Sequence, residues 1–182
     1  MTVPVVFAHG LSGSPNGNKA ILLKKHFDAI APALQTLELP QQAQALCEAM
    51  PPEHQSILIG SSLGALASLG AAQMTPERIG FLILLAPAFD LAKHRETFSD
   101  ALVQRPGLMD DAPRYATLLP PHGMPCHVVQ GMEDELFQID KAIVFTQRVA
   151  TASLTLVHAN HQLDPWVDNL VPLVKWAMTQ MK

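Results

Sequence analysis

The 182-residue chain is 48 % hydrophobic and only 15 % charged, with a formal net charge of -4. That balance supplies enough apolar side chain for one packed core and excludes a disordered, self-repelling chain. Its 16 acidic and 12 basic residues are scattered, without the basic stripe that a nucleic-acid partner requires.

The opening Met1-Thr2-Val3-Pro4 carries no basic leader segment and runs straight into an apolar strand. Val3 to Ala8 is that strand, with the continuous apolar character of one covered on both faces. The turn formers of Leu11 to Gly17 follow, then a helix over Asn18 to Ile30 with Ile21, Leu22, Phe27 and Ile30 near one face, stopped by Ala31-Pro32. Leu34 to Leu39 reads as a short strand and Gln41 to Met50 as a helix closed by Pro51-Pro52. Ser56 to Gly60 is the next strand, Leu63 to Met74 an alanine-rich helix, and Ile79 to Ala86 a third buried strand.

From Ala88 to His122 the prolines 106, 113, 120 and 121 break the chain into short helical pieces. The segment is either a small flap over a site or the connection between two strands. His127 to Gln130 and Leu154 to His158 are further strands, with a helix from about Gln138 to Ala150 between them. A last helix runs from about Pro165 to Met181, where Val167, Leu170, Val171, Val174 and Met178 form an apolar stripe.

Strands alternating with helices predict an α/β protein: a three-layer α/β/α sandwich with a mostly parallel sheet of about six strands. No linker divides the chain, so residues 1–182 are expected as a single domain. The longest nearly unbroken apolar run, Phe81 to Phe89, is too short to span a bilayer. The expectation is a soluble, cytoplasmic protein with no membrane partner, in which Cys47 and Cys126 are buried, reduced thiols.

The sharpest chemical signal is Gly60-Ser61-Ser62-Leu63-Gly64, a G-x-S-x-G set between a buried strand and a helix. A serine on such a turn is held out of the sheet with its hydroxyl presented, and the flanking glycines permit the tight geometry. Ser62 occupies the central position. A serine hydroxyl needs a base, and the base needs an orienting partner. Beyond the strand ending at Gln130 come Gly131-Met132-Glu133-Asp134-Glu135, from which Asp134 is selected as the acid, with Glu133 and Glu135 as competitors. Beyond the last strand, His161 lies in a loop and is selected as the base over His158, which still belongs to the strand end. The oxyanion is assigned to the backbone N–H groups of Leu63 and Leu11, with His9 and Gly10 as the supporting loop and Gly60 and Gly64 supporting the serine turn. The other histidines carry no metal-ligand spacing, so neither a metal nor any other cofactor is expected.

These pieces resemble the α/β-hydrolase superfamily: a strand ending in His9-Gly10, the serine turn, the acid segment and Ala159-Asn160-His161, in that order. More narrowly, His9-Gly10-Leu11-Ser12-Gly13-Ser14-Pro15-Asn16 through Lys19-Ala20 is similar to the opening of small bacterial serine esterases of the YqiA/YcfP type. The resemblance implies a sheet lacking the first two strands of larger members, a covalent acyl-serine intermediate, water as second substrate and little or no lid. The activity expected is a serine carboxylesterase acting on small to medium acyl esters. The same triad would serve a thioesterase, amidase or lactonase, and a non-catalytic binding protein on this fold is the remaining alternative.

Overall fold

The computed structural model describes residues 3–103 and 105–181; Met1, Thr2, Gln104 and Lys182, with the readings that fall on them, lie outside the described residues. Five strands form one sheet: β1 (Val5–Ala8), β2 (Ser56–Ser61), β3 (Ile79–Leu85), β4 (Cys126–Gly131) and β5 (Ala152–Val157). They are parallel throughout and lie in sequence order. Seven α-helices connect or flank them among the described residues: α1 (Asn18–Phe27), α2 (Leu39–Ala49), α3 (Leu63–Met74), α4 (Ser99–Leu102), α5 (Leu108–Ala116), α6 (Ile139–Arg148) and α7 (Leu170–Gln180).

The period of two along each strand divides the core into two layers. Val5, Phe7, Ile57, Ile59, Phe81 and Ile83 face α1 and α7, where they meet Ala20, Leu23, Leu170, Val174 and Ala177. Val6, Ala8, Leu58, Leu82, Leu84 and Val128 face the opposite way, onto α2, α3, α5 and α6. Both faces of the central strands are therefore buried, which is why they read as unbroken apolar runs rather than alternating ones. The predicted three-layer α/β/α sandwich with a parallel sheet is the architecture seen.

The sheet has five strands, not six, because Leu34 to Leu39 does not extend. Pro32 removes a ladder donor, Leu37 N–H turns back onto the Leu34 carbonyl at 3.2 Å, and α2 already begins at Leu39. Glu38 caps that helix reciprocally with Gln41, and Pro40 occupies its first turn, where a missing N–H costs nothing. What remains of a sixth strand is one bridge: Phe7 N–H donates to Ile30 O at 2.8 Å and Ile30 N–H to Val5 O at 2.9 Å. Helix α1 correspondingly ends at Phe27 rather than Ile30, closed by Asp28 in the left-handed region. Its inward face is Ala20 and Leu23, while Ile21 is 54 % exposed, so the face expected from Ile21, Leu22, Phe27 and Ile30 is rotated.

Between β3 and β4, Pro113 lies inside α5 instead of breaking it. The Tyr115 ring of α5 packs against α3 at Gly70, the point of contact a side chain at 70 would obstruct. The last apolar stripe is split into a 3-10 turn, Trp166–Asn169, followed by α7. Both cysteines are free and buried, and burial pushes the Cys126 thiol up to about 12. No helix among the described residues is long and apolar enough to cross a membrane.

Candidate active site

The carboxyl ends of parallel strands are where a sheet of this kind presents side chains to a ligand, and β1, β2, β4 and β5 each deliver one part of the site there. Strand β2 ends at Ser61 and α3 begins at Leu63, leaving Ser62 alone on the turn with φ 56° and ψ -117°. A non-glycine residue in that region costs about 1–3 kcal/mol of backbone strain. The turn is held by Ser62 N–H on Leu85 O at 2.9 Å and by Ala65 N–H on Ser62 O at 3.0 Å. Gly64 and Gly60 make it possible. A Cβ at 64 would collide with the backbone of Ala8 and His9 at the end of β1, and one at 60 would meet Gly64 O and Ser68 Oγ, both at 2.5 Å. These approaches explain the glycines through packing rather than through their own dihedral angles.

Ser62 Oγ lies 3.0 Å from His161 Nε2, and His161 Nδ1 lies 3.0 Å from Asp134 Oδ2. The carboxylate can only accept, so the neutral ring carries its proton on Nδ1 and Nε2 is left to receive the serine proton. The Asp134 side chain is 1 % exposed and that of His161 6 %. Burial alone would raise the Asp134 pKa. The hydrogen bonds from His161, Phe137 and Leu136, with the attraction of the imidazole, outweigh it and hold the carboxyl below the usual carboxylate range. The structure thus brings Ser62, His161 and Asp134 into one hydrogen-bonded chain with the geometry of a serine hydrolase triad.

The competing residues are placed elsewhere. His158 and Glu133 are exposed and face each other at 3.6 Å. Glu135 turns back to accept the backbone N–H of His161 at 3.1 Å, so it supports the histidine loop without touching the ring. His9 is buried and binds through both nitrogens: Nδ1–H donates to Gly10 O at 2.9 Å, and Nε2 accepts Leu34 N–H at 3.2 Å. Burial lowers its pKa and favours this neutral form. Gly10 O also receives Gly13 N–H at 3.0 Å, so the Gly10–Leu11 peptide plane is fixed from its carbonyl side.

Ser62 opens into a cavity of about 380 Å³ whose walls include Leu11, Lys19, Leu91, Phe98, Leu136 and His161. Leu91 and Phe98 come from the segment between β3 and β4, which therefore serves as both strand connection and cavity wall. Lys19 Nζ donates to Gln162 O at 2.7 Å and ties α1 to the histidine loop. Burial lowers its pKa, with Asp164 acting in the opposite direction. No group of three or more His, Cys, Asp or Glu among the described residues could hold a metal ion.

Residues 4–177 match the Uncharacterised protein family (UPF0227). The chain belongs to this family. No curated protein matches this UPF0227 member by sequence. Its fold is similar to that of mouse alpha/beta hydrolase domain-containing protein 10, at 18 % identity, with 99 % of this chain and 91 % of that one covered and a TM-score of 0.81. It is also similar to Est1E from Butyrivibrio proteoclasticus with ferulic acid bound, at 16 % identity, 99 % and 90 % coverage and a TM-score of 0.77. A third similar structure is the α/β-hydrolase enzyme MGS-MChE2 from lagoon sediments of Mar Chica, Morocco, at 20 % identity, 99 % and 92 % coverage and a TM-score of 0.74. At such identities the likeness is one of fold, which is the α/β-hydrolase fold.

Three parts of the site escape motif reasoning. Gln130, at the end of β4, is fully buried and donates to Asp134 Oδ2 at 2.7 Å. Phe137 places its ring 5.1 Å from the His161 ring, edge towards face. Gly131 lets the histidine loop approach: a Cβ there would collide with Ala159 O. A polar residue closing an apolar strand was a visible signal for Gln130. Nothing in sequence spacing marks Phe137.

Proposed function

We propose that this UPF0227 member is a serine carboxylesterase for small to medium acyl esters, working as a single domain, 1–182, in the cytoplasm. The observation that carries the reading is the unbroken chain Ser62 Oγ, His161 Nε2 and Nδ1, Asp134 Oδ2, with both links at 3.0 Å, at the floor of an open cavity. Ser62 attacks the ester carbonyl as His161 takes its proton; His161 then returns that proton to the leaving alcohol. Asp134 holds the imidazole in the required tautomer and stabilises the imidazolium. Water, activated by His161, releases the acid from the acyl-serine.

The negative oxygen formed on the way is held by the backbone N–H groups of Leu11 and Leu63. Supporting this, both residues line the same cavity as Ser62, and neither amide appears in a backbone hydrogen bond among the described residues. The Gly10 carbonyl, fixed by His9 and Gly13, turns the Leu11 N–H the other way. A cavity of about 380 Å³ lies near the small end of ligand sites, consistent with compact esters rather than long lipids. Est1E, whose structure holds ferulic acid, supports aromatic acyl groups as one class to include.

The test is hydrolysis of p-nitrophenyl esters from acetate to a long acyl chain, by wild type and Ser62→Ala in parallel. Activity that peaks on short chains and disappears in Ser62→Ala is expected. Activity surviving in Ser62→Ala would overturn the nucleophile, and a thioester or amide preference in the same assay format would overturn the leaving group.

A further inference from the structure

The acid of the triad is held by more than the histidine. Asp134 Oδ1 accepts the N–H groups of Leu136 and Phe137, each at 2.9 Å. Oδ2 accepts two side-chain donors, His161 Nδ1 at 3.0 Å and Gln130 Nε2 at 2.7 Å. The shorter of these bonds is the one from Gln130. Its amide nitrogen also donates to Phe137 O at 3.2 Å, so both amide protons are committed and the amide cannot be turned over without losing both bonds. Its oxygen, Oε1, is buried and has no hydrogen-bond partner among the described residues.

That arrangement is poor economy for a structural side chain. A buried amide oxygen without a partner is costly, and an apolar side chain of the same shape would avoid that penalty while giving up the bonds to Asp134 and to the Phe137 carbonyl. Asp134 would still keep three donors without Gln130. The amide's distinctive effect is electronic and directional: a neutral N–H on the same oxygen that faces His161 draws negative charge from that oxygen and fixes the carboxylate plane.

We propose that Gln130 is a positioning residue that holds the Asp134 carboxylate in the imidazole plane and weakens it as a base. The Nδ1 proton therefore stays on the ring while His161 takes and returns the serine proton. This inference rests on the triad roles given above. Among the described residues, few charged or titratable groups lie around His161, and Asp164 and His9 share its cavity wall. Asp134 is on Nδ1 and Glu135 on the backbone N–H. Lys19 is on the neighbouring Gln162 carbonyl, and His94 lies behind the Phe137 ring at 5.3 Å between centroids. None of these contacts involves Gln130, so its substitution removes one bond to the acid and one to the carbonyl of Phe137, and leaves the groups facing His161 in place.

The variants are Gln130→Met, which keeps length and removes the donors, and Gln130→Glu, which places an ionisable group on Oδ2. The readouts are the pH profile of kcat/KM on a p-nitrophenyl ester and, without substrate, the NMR titration of the His161 ring. Losing the amide donor leaves a more strongly attracting carboxylate, so in Gln130→Met the imidazolium is favoured. Its titration midpoint and the low-pH limb of the rate profile should both move to higher pH, with kcat reduced about 10-fold. Gln130→Glu sets a second carboxyl against Oδ2; whenever it is ionised its added negative charge favours the imidazolium still more, so the midpoint and the low-pH limb should move upward at least as far as in Gln130→Met. A His161 midpoint unchanged in folded Gln130→Met would overturn the proposal, whatever substrate is used. Absence of ester hydrolysis in wild type, with the midpoint still moving in Gln130→Met, would instead count against the esterase reading alone.

Discussion

Ser62 and its partners illustrate how much of the chemistry rests on hydrogen-bond direction rather than on residue identity. Asp134 is an acceptor from four donors, three of them outside the triad contact itself. This fixes which ring nitrogen of His161 carries the proton. Asp134→Asn keeps the shape but can offer an N–H to Nδ1, which pushes the ring proton onto Nε2, where it cannot accept from Ser62. The expected result is a fall in kcat of about 10³–10⁴-fold with little change in KM, measured on a short ester. The motif G-x-S-x-G pointed to Ser62 because a backbone turn dictates its residue types. Gln130 and Phe137 act through side-chain packing between segments distant from that turn, and no local pattern records such a contact.

At the scale of elements, the site depends on how closely the loops after β1, β2, β4 and β5 approach one another. Gly64 admits the end of β1 against α3, and Gly131 admits the loop after β5 against β4. Gly131→Ala must displace Ala159 and Asn160, and the displaced chain carries His161. Misplacement by about 1 Å can cost about 100-fold in rate. A drop in kcat/KM of that order, with the melting temperature lowered only modestly, is expected from steady-state kinetics and thermal melts of the purified variant. The elements themselves were readable where both faces are buried: β2 and β3 are unbroken apolar runs, and their sequence shows it. Leu34 to Leu39 misled because its apolar spacing fits a strand as well as it fits a turn feeding a helix. The choice was made by Pro32 and the Glu38–Gln41 cap. In α1, Ala20 contributes to the core through its small size, which a search for large apolar residues passes over, and it sets the inward face together with Leu23, three residues on, rather than with Ile21 and Leu22.

The whole molecule carries a pH dependence separate from catalysis. His9 and His127 are buried, and burial lowers the pKa of each in the fold. Above about pH 6.5 the histidines are neutral in both states and contribute nothing to pH dependence. As pH falls below that value the unfolded chain takes up protons that the folded chain resists, so stability is lost with falling pH. Asp134 adds to this only lower down. Its folded pKa lies below the unfolded value of about 3.9, so its contribution is present above that value and lost as pH falls through the folded one. His127 bridges Ser153 and Thr155 on β5 at 2.7 and 3.1 Å, away from the triad. In His127→Gln the loss of melting temperature between about pH 7 and 5 should be smaller than in wild type, while kcat stays unchanged. An identical slope in the two proteins would assign the acid sensitivity elsewhere.

The account stands on Ser62 being an activated nucleophile in the folded protein. The most direct measurement is reaction with a fluorophosphonate, followed by intact mass and peptide mapping of wild type, Ser62→Ala and His161→Ala. The predicted result is one adduct per chain in wild type, located on Ser62, absent from Ser62→Ala and strongly slowed in His161→Ala. A folded wild-type protein that takes up no phosphonate, or takes it up at another residue, would contradict the account.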